Sequence, residues 1–486
     1  MEQRRRRRTK SFWGIAFIFA VVFTVVFVGF QFFTKTGIFR VPGAVTYDES
    51  LNDTELGVLN GIFTEEVDLD KDVTISAYGV TTKPNLTEGE YLYSISVPVA
   101  DFYETRTDTN EFSDGEYTMI SIDDLDSTRK LLTMDGQYYL DNYDSGAIFR
   151  VIKFDSEKFA DEIEPLVAND FAKTFPEKST VLTFAQTGVT ALSRGMNAKL
   201  VQLGGDATYF AAGLKDYLSS FDITHTSNES SFSEFATTDN ICSDTRFIDT
   251  LTTIGLDVVE LTGNHNQDCG DEAARNTIDI YNQNGIKIVG GGKTAGEAAT
   301  PLNINEKNTN IAFLAYNLST GGATEDDTPG ANQYYEENAV TEISAAKERG
   351  DFVIVDVQYY ECSAYASEYE DPICDYADSA AGDQVGFFRH LVDLGADLVV
   401  GTSAHQPQTF ELYGNGAIYY GLGNLFFDQV WWPGTTRSLI LAHYFYNGKL
   451  LQTKIVPTIY DSSMQTKLLD EETTKWFLNR LASERP

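Results

Sequence analysis

The chain has 486 residues, with 72 acidic against 36 basic side chains and a formal net charge of −36. Such an excess of negative charge repels nucleic acid and anionic lipid headgroups, which excludes a nucleic-acid binder. Disorder is excluded too: 42% of the residues are hydrophobic, and 32 Phe and 26 Tyr supply enough apolar matter for real cores.

Arg4 to Arg8 and Lys10 form a basic block over residues 1–11, directly ahead of Phe12 to Phe33, a stretch of 22 residues without a formal charge. That length spans a bilayer as a helix. A cleaved signal peptide has a shorter apolar core ending in small residues, whereas this run continues through Phe30, Phe32 and Phe33. The basic side is expected in the cytoplasm, with acidic Asp48, Glu49, Asp53 and Glu55 outside. The reading is a single-pass membrane protein whose large C-terminal part is extracellular.

Residues 34–176 read as a small α+β domain. Strand-like runs at Tyr91–Val99 and Phe149–Phe154 are separated by Asp-, Asn- and Gly-rich turns, and the first clear helical signal is Ser156–Ala172. The segment holds no His or Cys and no chemical motif, so a spacer or partner-binding role is expected.

From residue 177 to about 460 apolar β-type runs alternate with amphipathic segments. Strands are predicted at Val181, Phe221–Thr224, Asp257, Lys287, Ile311, Phe352 and Asp397, and helices over Ala207–Ser219, Ser243–Ile254, Ala273–Gln283, Val340–Lys347 and Gln384–Leu394. This alternation implies a layered α/β domain with buried, mostly sequential strands. Gly414-Asn415-Gly416 and Asn447-Gly448 mark hairpins of antiparallel structure packed on that core. A polar helix near Glu471–Ala482, within 461–486, closes the chain.

Ligands bind such sheets at the carboxyl ends of the strands. Four polar clusters follow strands here, SNES at Ser227, GNHNQD at Gly263, QYYE at Gln358 and GTSAH at Gly401, and they are expected to meet at one cleft. Cys242, Cys269, Cys362 and Cys374 allow three pairings. An oxidising compartment favours bridges over free buried thiols. Zinc is disfavoured by the lack of any C-x-x-C pair. Cys242–Cys269 and Cys362–Cys374 both fit one sheet edge and would brace the cleft rim.

Three blocks between Thr180 and Gln429 carry a family resemblance. ELTGNHNQDCG at Glu260 resembles an Asn-Asn-His followed by Asp-Tyr-Gly; GADLVVGTSAHQPQTFELYGNGAIYYGLGNLFFDQ at Gly395 resembles a Gly-His-His-Pro-His block with its hairpin and Gly-Asn-Phe; SNES resembles Asn-Leu-Glu. The pattern is similar to that of capsule-synthesis proteins of the CapA and PgsA type, whose domain looks like the calcineurin-like metallophosphoesterase α/β sandwich. The resemblance implies a role in making, exporting or tethering poly-γ-glutamate or capsular polysaccharide, with an extracellular anionic polymer or its precursor and membrane partners of a capsule synthesis complex as the expected partners.

The parent fold holds one or two divalent cations through carboxylates, amides and imidazoles that converge from strand ends. By the resemblance, Asn264, His265 and His405 are the expected metal ligands, Glu229 and Glu361 the expected bases with His265 as acid or ligand, and Asn228, Asp268, Gln358 and Asn424 further cleft residues. Asp268 equally suits a helix cap. The family's Gly-Asp is replaced around Gln186, Thr187 and Gly188, its His-Trp-Gly becomes Gln358-Tyr359-Tyr360, and Thr402 stands where a histidine is expected. These departures predict at most one weakly held divalent ion rather than a two-metal centre. His225, His390 and His443 are assigned no role. GGGKT at Gly290 lacks the first glycine of a phosphate loop, since Lys287 stands there. Two functions follow: a metal-assisted hydrolase acting at the cleft, or a binding or assembly protein using that cleft.

Overall fold

The computed structural model describes residues 43–64, 67–171, 173–319, 327–360 and 383–486. The basic tail, the apolar 12–33 segment, Glu361, Cys362 and Cys374 lie outside the described residues. Within them, no helix is long and apolar enough to cross a membrane.

The chain divides into two compact units. The first comprises the residues up to Ser96 together with Ala147–Phe175. Val45–Tyr47 pairs parallel with Val73–Thr82, and the Glu90–Ser96 stretch pairs antiparallel with Ile148–Lys153. The helix Asp53–Ile62 starts at a capping box in which Asn52 and Glu55 satisfy each other's backbone N–H groups. Glu55 is buried, and the Arg150 guanidinium grips both its oxygens at 2.7 and 2.9 Å. Leu59, Val73, Ile75, Phe154 and Val167 form the core.

The second unit comprises Val97–Gly146 and everything from Pro176 onward. The sequence placed one domain over 34–176, but Val97–Gly146 belongs to the later unit. Its strand Arg129–Leu131 pairs with Val99–Asp101, and Gln452 Nε2 donates to Arg129 O at 2.7 Å. Arg129 and Gln452 are 323 residues apart, beyond the reach of any pattern local to one segment.

Two sheets form the heart of this unit. In the first the order is Lys287–Val289, Val258–Glu260, Ile223–Asn228, Leu182–Ala191, Arg437–Tyr446, Lys449–Tyr460 and Thr466–Leu468, with Asn424–Phe427 also beside Leu182–Ala191. In the second it is Leu302–Glu306, Thr309–Asn317, Phe352–Gln358, Leu398–Thr402, Gly416–Tyr419 and Phe410–Tyr413. The strands before the hairpins pair in parallel, apart from Leu302–Glu306, which the sequence reading passed over and which is antiparallel to Thr309–Asn317. Both predicted hairpins exist, and each joins a different sheet.

Burial explains the layering. Phe184, Ile223 and Val258 of the first sheet and Phe313, Ile354 and Leu398 of the second share one apolar cluster, so the sheets face each other. Alternate residues point outward: Ala185 and Val259 meet Leu200, Leu251 and Ile278 of helices Gly195–Gln202, Ile248–Thr253 and Asp271–Gln283. Val353, Val355 and Val399 meet Ile343 and Phe388 of helices Glu336–Arg349 and Gln384–Asp393. The unit is a four-layered α/β sandwich. Its closing helix, Glu471–Ser483, buries Phe477 and Leu481 in the inter-sheet cluster and is no separate appendage.

Candidate functional site

The inner face of each sheet changes from apolar to polar toward the carboxyl ends of its parallel strands. Side chains two apart share a face, so the ladder runs Ile354, Asp356, Gln358 on one strand, Leu398, Val400, Thr402 on its neighbour, and Ile223, His225, Ser227 across the gap. All nine are buried. The polar rungs form two storeys.

The upper storey contains most of the expected cleft residues. Strand Ile223–Asn228 delivers Glu229, whose backbone N–H donates to Thr190 O at 2.9 Å. Glu229 is wholly buried, and a Cβ at Gly263 would stand 2.6 Å from its Cα, so glycine there admits the GNHN loop. Gln358 Nε2 donates to Glu229 Oε1 and to Asn264 Oδ1, both at 3.1 Å. Thr402 Oγ1, in register beside Gln358, lies 2.9 Å from Gln358 Oε1 and donates to it, which fixes the amide orientation.

His405 completes the storey. It is buried at φ +55°, and Ser403 before it also takes a left-handed conformation at φ +76°. Two such residues in one short loop are costly and mark a constrained turn. Asn424 Nδ2 donates to Thr435 O at 3.0 Å, so its Oδ1 faces His405 Nδ1 at 2.9 Å and accepts the proton there. His405 Nε2 then points at Glu229 Oε2, 3.5 Å away, and that oxygen is buried without a hydrogen bond. Phe427 packs against the imidazole at 5.3 Å; Arg194, paired with Asp428, lies over both Phe427 and the exposed Trp431.

Three expected residues stand apart. His265 Nδ1 bonds Asp268 Oδ2 at 2.7 Å, partly exposed, and among the described residues its bonded partner is Asp268 rather than Glu229 or His405. Asp268 thereby orients the imidazole; the following helix has Gly270 as its N-cap, so Asp268 does not cap it. Asn228 ends its strand and turns back, donating to Ser230 O at 2.7 Å. The first strand bulges between Gln186 and Val189, so Val189 and Thr190, not Gln186 to Gly188, lie level with Ser227 and Asn228. Cys242 and Cys269 sulfurs are at bonding distance with Cα atoms 6.0 Å apart, linking the loops that follow Glu229 and Asn264.

The lower storey was not foreseen. Gln186 Nε2 donates to Asp356 Oδ1 at 2.5 Å, and His225 Nε2 lies 3.2 Å from Asp356 Oδ2, its ring stacked on Phe313 and edge-on to Phe184. Glu260, level with Ser227 on the neighbouring strand, is pushed up to about 7 by burial, with the Asp356 carboxylate adding to the shift. Burial, helped by His225, pulls His443 down to about 3. The alternation in FVIVDVQ puts Asp356 and Gln358 on one face, and that was the available signal.

Among the described residues, no three His, Cys, Asp or Glu side chains converge in a way that would hold a metal ion. The Gln358 NH2 group donates to Glu229 Oε1 and Asn264 Oδ1, two oxygens a cation would draw on, while Glu229 Oε2 faces His405 Nε2.

A family model described as bacterial capsule synthesis protein PGA_cap matches residues 183–429. The capsule biosynthesis protein CapA of Bacillus anthracis is 26% identical over 225 residues, 45% of this chain and 52% of its own length. The PGA biosynthesis protein CapA of Bacillus subtilis is 29% identical over 194 residues, 39% of this chain and 48% of its own. A probable polyglutamine synthesis accessory protein of Mycobacterium tuberculosis is 26% identical over 251 residues, 48% and 62% respectively. The chain thus spans about half the length of the first two curated relatives and less than two thirds of the third.

Proposed function

This chain belongs to the bacterial capsule synthesis protein PGA_cap family, and we propose on that premise that it is a membrane-anchored accessory protein for an extracellular anionic polymer of the poly-γ-glutamate kind. It binds a chain end or precursor, or a membrane partner of the synthesis complex, rather than cutting a bond. The observation that supports this reading is the double donation from Gln358, which engages one oxygen of the Glu229 carboxylate and the amide oxygen of Asn264 within the protein. Any divalent ion is held at most weakly between Glu229 and His405.

Net charge shapes how such a polymer is engaged. A surface carrying −36 does not wrap a polyanion, so contact is local. The Arg194, Trp431 and Trp432 rim beside His405 and Phe427 is the one we assign to it. Calorimetric titration of the full chain with short poly-γ-glutamate tests this: binding without hydrolysis, lost in Trp431→Ala, is expected, and polymer shortening overturns it. Protease added to intact cells should digest the chain beyond the 12–33 segment and spare its basic tail.

The oriented His265–Asp268 pair favours a second reading, a hydrolase with at most one metal, because a carboxylate-held imidazole is a ready acid or base. Glu361 would then be its further carboxylate.

A further inference from the structure

A cavity of about 240 Å³ lies within the second unit, away from the strand-end site. Its walls come from the 102–138 segment, the hairpin strands Phe410–Tyr413 and Gly416–Tyr419, the strand Lys449–Tyr460 and the closing helix, and Phe102, Tyr103, Phe410, Tyr419, Ile455 and Leu478 make most of them apolar. Protein interiors seldom keep voids much larger than a water molecule, and an apolar cavity of ~150 Å³ already admits benzene. This one has room for a larger body.

The charged residues of the wall are Glu104, Lys130 and Lys454. Lys130 lines the cavity and spends a single donor on Glu104 O, at 2.7 Å. The nearby carboxylates are engaged elsewhere, Glu104 with Arg106 at 2.8 Å and Glu111 with Lys475, and among the described residues none forms an ion pair with Lys130. Lys454, also in the wall, is matched by Asp141 at 2.7 Å. An ammonium with donors to spare beside an apolar void is complementary to an anion carried on an apolar body. Because Glu104 and Glu111 stand close by, a monoanion suits the place better than a dianionic phosphate.

We propose that this cavity binds a single-chain carboxylate of the fatty-acid type, its chain among Phe102, Phe410 and Leu478 and its carboxylate on Lys130. Burial pulls Lys130 down to about 8, with Lys475 adding to the shift and Glu104 and Glu111 opposing it, so the charge that recognises the ligand is present at neutral pH and lost above it.

The test is calorimetric titration of the full chain, held in lipid nanodiscs so that no detergent competes, with octanoate and with 1-octanol, empty nanodiscs being subtracted. The wild type should bind octanoate about tenfold more tightly or better, the worth of a charged hydrogen bond. Lys130→Met should erase that preference while keeping octanol binding. In the unaltered protein the octanoate preference should shrink as pH rises above about 8. Equal binding of the two probes, binding of neither, or a preference that survives both Lys130→Met and high pH overturns the proposal.

Discussion

Gln358 Nε2 donates a hydrogen bond to Glu229 Oε1 across 3.1 Å, and this contact joins the two sheets at the edge where their parallel strands end. Gln358→Met keeps the volume but removes the donor, leaving a buried carboxylate with no compensation on that oxygen. We expect a loss of about 2–4 kcal/mol in urea unfolding, with part of it regained in the Gln358→Met, Glu229→Gln double variant. Additive losses would mean that the two residues do not act on each other.

Gly263 lets the GNHN loop approach Glu229. Adding a Cβ 2.6 Å from Glu229 Cα forces one of the two backbones to move. Gly263→Ala should cost about 1–3 kcal/mol and weaken polymer binding, while Gly296→Ala, in the short helix Ala295–Ala298 where a Cβ meets nothing, should cost no stability and leave binding unchanged. Thermal unfolding and titration of both variants check this.

Burial of Glu260 gives stability a pH dependence of definite sign. Glu260 is raised in the folded protein from 4.5 to about 7. Below pH 4.5 it is neutral whether folded or not, so its contribution is then fully present. Between 4.5 and 7 the unfolded chain ionises while the folded one does not, and stability falls by ~3 kcal/mol before levelling above 7. Glu260→Gln should therefore stabilise the protein at pH 7.5 relative to wild type and lose that advantage by pH 4.5. Urea midpoints at the two pH values read the difference, and an equal effect at both contradicts it.

Cys242 and Cys269 are 27 residues apart in sequence. A bridge closing a loop of that length is worth about 3.5 kcal/mol in the chain-entropy account. Peptide mapping without reduction should recover the joined peptides, and reduction should lower the unfolding midpoint. Two free thiols in protein isolated from its native envelope would contradict the bridge.

How much of this could be read from the chain alone depends on the range of the interaction. The buried strands, the two glycine-marked hairpins and the gathering of Glu229, Asn264, Gln358, Thr402 and His405 follow from local pattern and the strand-end rule. The grouping of Val97–Gly146 with the second unit does not, because it rests on pairs such as Arg129 with Gln452. His225 looked like an ordinary strand residue; only the facing sheet, bringing Asp356 to 3.2 Å, makes it part of a buried charged layer. His265 followed a matched motif, yet a carboxylate three residues on captures its imidazole. The helix Gly195–Gln202 was passed over because its glycine start and short length carry little periodic signal.

On the proposed reading, Gln358 holds by hydrogen bonds two of the oxygens on which a catalytic cation would draw. Elemental analysis of the purified full chain after dialysis against zinc and manganese, paired with hydrolysis assays on phosphoesters and on poly-γ-glutamate, tests it most directly. The account predicts substoichiometric metal, no turnover, and polymer binding that does not depend on added metal. Two stoichiometric metals with turnover lost in Glu229→Gln and His405→Ala would contradict it.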